Sequence, residues 1–263
     1  MFQTLRASLV AAGALLSLSA HAHRPWLLPS TTLADGAAPV VSVDAAISED
    51  LFEFDASALM LDTLHVTAPD GSAVAPDTRI EARRRVSFDV RLAQPGTYRI
   101  AGVSDTALAS WKVGGETRRW RGAPAALAAQ VPADAQDLQV TRQLQRVETF
   151  VSNDKPGVLA PAVTGEGLEL VPLDNPTDLS VGDATRFRVL LDGQPCAGAD
   201  VTVIRGGHRY RYRMGEIALK TDAAGELRVT WPEAGRYWLG VNHGARGAPR
   251  RESYAATFEV LPR

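Results

Sequence analysis

The stretch SFDVRLAQPGTYRIAG (residues 87–102) recurs in altered form as ELRVTWPEAGRYWLGV (residues 226–241), and the two align without a gap. In each, apolar and polar residues alternate, a glycine follows, and a tyrosine (Tyr98 or Tyr237) stands two residues later. Alternation with a period of two is typical of a β-strand with one buried face. Sandwich domains often carry such a tyrosine near the start of a late strand. The repeat therefore predicts two β-sandwiches, with Tyr98 and Tyr237 in equivalent strands of separate sandwiches.

Short alternating runs bounded by turn residues continue along the whole chain. They include 40–43, 64–67, 85–92, 185–191, 201–204, 217–221, 226–231 and 254–260. Asp192-Gly193 is a hairpin signal, and residues 222–225 are expected to join the two runs beside them as a hairpin. The Ala-rich residues 123–135 contain Pro124 and Pro132, so a short helix or a loop is expected there. The sequence predicts an all-β chain with two Ig-like β-sandwich domains in tandem.

The boundary between the two domains is expected where prolines and glycines cluster, from Lys155 to Gly167. The predicted N-terminal sandwich covers residues 23–160, and the predicted C-terminal sandwich covers residues 166–263. Residues 1–22 have a charged start, an apolar run and the triplet Ala20-His21-Ala22, the three parts of a secretory signal peptide. We expect cleavage after Ala22, which makes the mature protein periplasmic. The remaining chain has no apolar run long enough to span a bilayer.

Composition narrows the class of partner. The formal net charge is −2, and the chain has no basic excess that would suggest nucleic acid as a partner. Cys196 is the only cysteine, so an internal disulfide is excluded, and we expect a reduced thiol that serves only packing.

His23 would be the first residue of the cleaved protein. An N-terminal His offers a free α-amine as well as its imidazole, and the two can chelate one transition metal ion. Most first residues are frayed and solvated, which is the competing interpretation. Trp26, Leu27 and Leu28 argue against fraying, because an apolar run so close to the terminus should be tied into a sheet.

The C-terminal run GLELVPLDNPTDLSVGDATRFRVLLDGQPCAGADVTV (167–203) resembles the family called domain of unknown function 4198. The resemblance extends to AHRPWLLPS (22–30), VDAAISEDLFEFD (43–55) and residues 221–241 and 253–262. It implies a periplasmic, Ig-like component of nickel or cobalt uptake, with links to TonB-dependent iron uptake. It also implies a metal role for His23, since members commonly place a His just after the cleavage site. Many relatives carry a further His where this chain has Ala56-Ser57.

No HxxxH, CxxC or EF-hand spacing completes a metal site. Four carboxylates lie close together at Glu49, Asp50, Glu53 and Asp55; they are either a solubilising loop or oxygen ligands beside His23. From this group we predict Asp50, Glu53 and Asp55 as ligands. Three other histidines are expected to be exposed or solvated: His65 in a strand, His208 in a basic aromatic segment and His243 in a Gly-rich loop.

Three classes of function remain. The first is a binding protein that passes a transition metal ion (Ni, Co, Cu or Fe), or a metal complex, to an inner- or outer-membrane uptake system. The second is a cofactor-free protein or glycan interaction module, which the Trp- and Arg-rich segment SWKVGGETRRWRG (110–122) would suit. The third is a copper enzyme with an N-terminal His, but no second His has a suitable context and no GxSxG or HExxH occurs. We expect the first class and no enzyme activity.

Overall fold

The computed structural model describes residues 23–61, 63–160, 164–211 and 215–263. The predicted signal peptide, residues 1–22, lies outside this range.

β-Strands make up most of the described chain. The strands of the first half are β1 (Arg24–Pro29), β2 (Leu33–Ala34), β3 (Val40–Ser48), β4 (Ser57–Ala58), β5 (Thr63–Thr67), β6 (Ala73–Val74), β7 (Arg79–Glu81), β8 (Val86–Arg91), β9 (Gly96–Val113), β10 (Glu116–Gly122) and β11 (Gln136–Asn153). Those of the second half are β12 (Leu168–Pro172), β13 (Ala184–Leu191), β14 (Gln194–Pro195), β15 (Asp200–Arg205), β16 (Ile217–Lys220), β17 (Glu226–Thr230), β18 (Gly235–His243) and β19 (Arg250–Val260). Two short 3₁₀ helices occur within the described chain, at Pro124–Ala129 and His208–Tyr210. The all-β prediction is confirmed. Of the short helix or loop expected within residues 123–135, the structure has a short 3₁₀ helix.

The strands form three sheets. The N-terminal sheet has the order β1-β3-β8-β7, with β4 added to β3. The C-terminal sheet has the order β12-β13-β14, with β17 added to β13. Between them lies a ten-stranded sheet, here called the shared sheet, with the order β16-β15-β18-β19-β11-β9-β5-β6, β10 added to β9 and β2 to β11.

The two smaller sheets cover opposite faces of the shared sheet. On β11, Val147 and Val151 belong to the hydrophobic core under the N-terminal sheet. Phe150, from the same strand, belongs to the core under the C-terminal sheet. Because side chains alternate across a strand, these residues point to opposite faces. The last seven residues of β11 are all buried, so this strand is covered on both faces.

The two sandwiches are therefore Ig-like but share one sheet. The expectation that Tyr98 and Tyr237 lie in separate sandwiches is wrong, because β9 and β18 both belong to the shared sheet. The strands of the two sandwiches meet where β11 pairs in parallel with β19, from Arg142 opposite Arg250 to Thr149 opposite Thr257. An edge strand leaves a row of unpaired N–H and C=O groups, and this pairing satisfies two such rows at once. The boundary between residues 160 and 166 stays a prediction.

The strand equivalence within the repeat is nevertheless present. β8 and β17 each lie in a small sheet, and the chain passes from each through Gly96 or Gly235 into the shared sheet. The hydroxyl of Tyr98 accepts the N–H of Gln94 at 2.7 Å, and that of Tyr237 donates to the carbonyl of Glu233 at 2.8 Å. Both tyrosines thus bond to the backbone four residues upstream, as a tyrosine corner does.

The turn predicted at Asp192-Gly193 is confirmed, and the hairpin predicted at residues 222–225 is not. Asp192 and Gly193 have φ of 50° and 74° and join β13 to the paired β14. Two positive φ values in succession are those of a type I′ turn. In contrast, β16 pairs with β15 in the shared sheet, whereas β17 pairs with β13 in the C-terminal sheet. Residues 222–225 therefore carry the chain from one layer to the other.

A charged network is buried between the shared and C-terminal sheets. Arg99 Nη1 donates to Glu148 Oε2 at 2.6 Å, and the Tyr254 hydroxyl donates to the same oxygen at 2.7 Å. The Arg99 guanidinium also lies 5.0 Å from the centroid of the Phe150 ring. Burial raises the pKa of Tyr254 well above its usual value, so it remains a donor. These contacts offset part of the cost of burying the ion pair, and they join side chains of β9, β11 and β19.

Cys196 is a free, partly buried thiol that packs beside the C-terminal core. Burial raises its pKa, and a thiol with a raised pKa reacts slowly. This environment fits the predicted packing role.

Candidate functional site

Strand β1 fixes the position of His23. It pairs antiparallel with β3, with Arg24 opposite Ser48. Trp26 and Leu27 are fully buried, and Trp26 Nε1 donates to Ser48 Oγ at 2.8 Å. The expectation that the apolar run after His23 is tied into a sheet is confirmed. His23 therefore stands at a defined end of the N-terminal sheet.

A second tryptophan attaches β1 to the shared sheet. Trp238 of β18 donates its Nε1–H to the carbonyl of Pro25 at 2.9 Å. The Arg24 guanidinium lies 5.9 Å from the Trp238 ring centroid, and its Nη2 is 3.8 Å from Glu216 Oε1. These contacts bring the start of β1 to the face of β18.

The side chain beside His23 is Glu49. Nε2 of His23 lies 3.2 Å from Oε1 of Glu49, and the two side chains are 58% and 61% exposed. An exposed pair of this kind contributes little to stability, with a median of about 0–1 kcal/mol. An imidazole and a carboxylate open to solvent are both available to an ion from solution.

The structure assigns a different task to one of the three predicted carboxylates. Both oxygens of Asp55 accept backbone N–H groups, from Glu49 at 3.1 Å and from Asp50 at 2.9 Å. Asp55 therefore closes the loop after β3. Over the described ranges, no group of three or more His, Cys, Asp or Glu side chains is placed to hold a metal ion. Asp50, Glu53 and Asp55 are thus not gathered with His23 into such a group.

The two side chains of His23 and Glu49 fit a transition metal ion only in part. Imidazole nitrogen and carboxylate oxygen both bind such ions, but a closed structural site needs about four ligands. A free α-amine on His23 would be the third donor. Water or an added chelator would supply the rest, which makes the site an open one.

A groove of about 420 Å³ opens beside this pair, on the same face of the shared sheet as the N-terminal sheet and beyond the edge of that sheet. We call it the polar groove. Hydroxyl and amide side chains from four strands line it: Ser104, Thr106, Gln143, Gln145, Asn242 and Ser253. The imidazole of His23 borders it, as do the charged residues Arg24, Arg121, Glu216, Arg251 and Glu252. Its size falls within the range of small-molecule sites, roughly 300–1,000 Å³.

Sequence reasoning missed the polar groove. Its hydroxyl and amide lining residues come from four separate strands, β9, β11, β18 and β19, and no spacing along the chain connects them. Only the order of strands in the shared sheet brings them together.

His65 and His243 are exposed as the sequence predicts, and the exposure predicted for His208 stays a prediction. His65 is exposed on β5, as expected. His243 is exposed at the end of β18, but it also borders the polar groove. His208 begins the second 3₁₀ helix.

The two tryptophans of segment 110–122 differ in burial. β9 and β10 pair as a hairpin around the turn at Gly114-Gly115. Trp111 is buried, which fits a packing role, whereas Trp120 is half-buried and borders a second, open groove with Arg119. This groove lies on the outer part of the shared sheet.

Solved structures show only distant similarity to this chain. The D0-D1 domain of intimin is 10% identical, with 89% of this chain and 97% of that chain covered and a TM-score of 0.22. An ICAM-5 ectodomain fragment is 11% identical, with 91% and 51% covered and a TM-score of 0.23. An alpha-2-macroglobulin from Escherichia coli is 14% identical, with 91% and 16% covered and a TM-score of 0.22. The chain matches no curated protein.

A family model does match most of the chain. The matched segment runs from residue 20 to residue 245 and includes β1, the loop after β3 and most strands of both sandwiches. It thus covers His23, Glu49 and most of the residues that line the polar groove. The chain belongs to the family described as domain of unknown function (DUF4198).

Proposed function

We propose that this chain is an exported, periplasmic binding protein for a transition metal ion, with His23 as the principal ligand. The observation that supports the proposal most is the exposed pair of His23 and Glu49 at a fixed strand end. Cleavage after Ala22 would add the α-amine of His23 as a third donor. Nickel, cobalt, copper and iron all accept this combination of nitrogen and oxygen ligands.

The proposal replaces the three predicted carboxylates with Glu49 as the nearest oxygen donor. Glu49 lies within hydrogen-bond distance of the imidazole, whereas Asp55 uses both oxygens on backbone N–H groups. A carboxylate beside a ligating imidazole either binds the ion or orients the ring, and both roles raise affinity.

An open site of few ligands suits transfer of an ion better than storage. We propose that the recipient is an uptake system of the inner or outer membrane. The described residues contain no helix long and apolar enough to cross a bilayer.

The test is calorimetric titration of the cleaved, metal-free protein with Ni(II) and with Cu(II). His23→Ala removes the imidazole, and one extra residue ahead of His23 moves the amine away. Each change should weaken binding by at least about tenfold, and Glu49→Gln by about tenfold or more. Affinity should also fall as the solution is acidified, because protons compete for both nitrogens.

Glu53→Gln is the matched control, since it removes a carboxylate of the same loop. It should leave the affinity unchanged. If the extended protein binds as tightly as the cleaved one, the amine is not a ligand. If His23→Ala also binds as tightly, the proposed metal site is wrong.

The second candidate is a cofactor-free interaction module. Trp120 and Arg119 beside the open groove of the outer shared sheet favour it, because Trp and Arg are enriched in binding hot spots. This candidate would be preferred if the cleaved protein bound neither Ni(II) nor Cu(II).

A further inference from the structure

Two arginines of the polar groove have no charged partner within the described chain. Arg121 on β10 and Arg251 on β19 are exposed and line the groove. No hydrogen bond or ion pair joins either guanidinium to another described residue, whereas Arg142, Arg186 and Arg250 each pair with an aspartate. The groove therefore carries positive charge that the rest of the described fold does not neutralise.

The floor between these arginines is rich in neutral donors. The groove is also lined by Glu216 and Glu252, whose carboxylates pair with Arg24 and Arg250. Gln143 and Gln145 of β11 contribute amides, and Ser104 of β9 and Ser253 of β19 contribute hydroxyls. Gln145 Nε2 lies 3.5 Å from Ser253 Oγ, so the amide donor is only weakly used within the protein. Two guanidinium groups around such a floor match an anion with several oxygen atoms.

Carboxylate is the anion class that fits best. The planar guanidinium of Arg binds the planar carboxylate through two parallel hydrogen bonds. Two separated arginines need a ligand with at least two carboxylates, and a groove of about 420 Å³ admits a molecule of that size.

A neutral sugar fits less well, because the groove offers no free aromatic platform. The two aromatic residues that line it, Trp238 and Tyr254, are only 8% and 2% exposed. The Trp238 ring lies directly against the backbone of β18 at Gly240, where an added Cβ would be only 2.0 Å from the ring. The indole N–H of Trp238 is already hydrogen-bonded to the carbonyl of Pro25.

We propose that the polar groove is a binding site for a small di- or tricarboxylate, with Arg121 and Arg251 as its charged contacts. This inference goes beyond the proposed metal function and does not depend on it. The two sites share a border at His23, so a bound carboxylate would lie next to a metal ion held there.

The experiment titrates citrate into the cleaved protein after treatment with a chelating resin, at low ionic strength. Citrate should bind with measurable heat. Arg121→Gln and Arg251→Gln should each weaken binding by about tenfold, because each removes charge-assisted hydrogen bonds. The double variant should abolish binding.

Arg119→Gln is the matched control. Arg119 is an exposed arginine of β10, two residues from Arg121, and it borders the outer groove but not the polar groove. Its loss changes net charge by the same amount and should alter citrate affinity less than twofold. Circular dichroism on each variant confirms that the sheets are intact.

Three results would overturn the proposal: no heat with citrate, equal weakening in all three single variants, or binding of maltotriose with none of citrate. The last would make the groove a glycan site. Glu49→Gln separates the two proposals, because Glu49 lies beside His23 but does not line the polar groove. It should weaken metal binding and leave metal-free citrate binding unchanged.

Discussion

At the residue scale, Asp192 connects three separate parts of the second sandwich. Its carboxylate accepts two hydrogen bonds from Arg250, at 2.8 and 2.6 Å, and one from the N–H of Gly167 at 2.9 Å. The bonds from Arg250 and then that from Gly167 hold the pKa of Asp192 below its usual value. The residue thus links the turn after β13 to the start of β12 and to β19.

This lowered pKa predicts a pH-dependent stability. A carboxyl group with a lower pKa in the folded state stabilises that state above its unfolded pKa, about 3.9. The stabilisation is lost as the pH falls through the folded pKa. Because Asp192 is partly exposed, Asp192→Asn should lower the free energy of unfolding at pH 7 by no more than about 1 kcal/mol. The difference should shrink below about pH 4, as measured by urea denaturation.

Asp154→Asn is the control for the backbone. Asp154 also has a positive φ, of 70°, but its side chain has no hydrogen bond to a described residue. Asn tolerates this conformation as Asp does, so neither change strains the backbone. If Asp154→Asn costs as much as Asp192→Asn, or if the Asp192 effect persists at pH 3, the ion pair is not its cause.

At the scale of elements, β1 carries a large share of the packing of the first sandwich. Trp26 is fully buried, and its ring centroid lies 5.7 Å from that of Phe52 and 5.6 Å from that of Phe54. These two Phe belong to the same loop as the acidic residues beside His23. The strand thus supports both the terminus and the loop.

We expect Trp26→Ala to lower the free energy of unfolding by about 3–5 kcal/mol, the usual cost of emptying a large buried aromatic site. Trp120→Ala, on the half-buried face of β10, should cost about 1 kcal/mol or less. Urea denaturation followed by circular dichroism compares the two. Equal costs would mean that β1 is not an essential part of the first core.

The sequence predicted the strands correctly but did not always predict which strands pair with each other. The alternation of Val86, Phe88 and Val90 correctly predicted β8 and its buried face. The alternating runs on both sides of residues 222–225 were also correct as strands, but their pairing with each other was wrong. Alternation records which face is buried and carries no information on the neighbouring strand.

At the scale of the whole molecule, the shared sheet couples the two sandwiches. β11 contributes Val151 to one core and Phe150 to the other, and it is hydrogen-bonded to β9 on one side and β19 on the other. Neither core can lose β11 without exposing the apolar face of the other.

The coupling predicts one cooperative unfolding transition for the mature chain. Trp26 and Trp238 lie in the first core and Trp231 lies in the second. The double variant Trp26→Phe/Trp238→Phe therefore leaves the first core without a tryptophan reporter, and Trp231→Phe leaves the second core without one. Fluorescence and circular dichroism should give the same midpoint within each variant. Two separated transitions in calorimetry would show that the sandwiches unfold independently.

The sequence alone determined the strands, the turn at Asp192-Gly193 and the equivalent positions of Tyr98 and Tyr237. It also determined that the apolar run after His23 belongs to a sheet. These features depend on residues within a few positions of each other, where backbone geometry and side-chain alternation act directly. It also identified the acidic loop near His23, but four carboxylates in one loop look alike in a sequence. The register of β1 on β3, with Arg24 opposite Ser48, placed Glu49 beside the imidazole, whereas Asp55 binds two backbone N–H groups.

Tertiary structure alone decided that the two sandwiches share a sheet and that Arg121 and Arg251 border one groove. Both depend on pairings between separate segments, β9 with β11 and β11 with β19. Once the strands have formed, their unpaired edges and exposed apolar faces must still be covered. The pairings that cover most of them are the ones that the fold adopts. That choice involves the whole chain at once, and for this reason no short stretch of the sequence contains it.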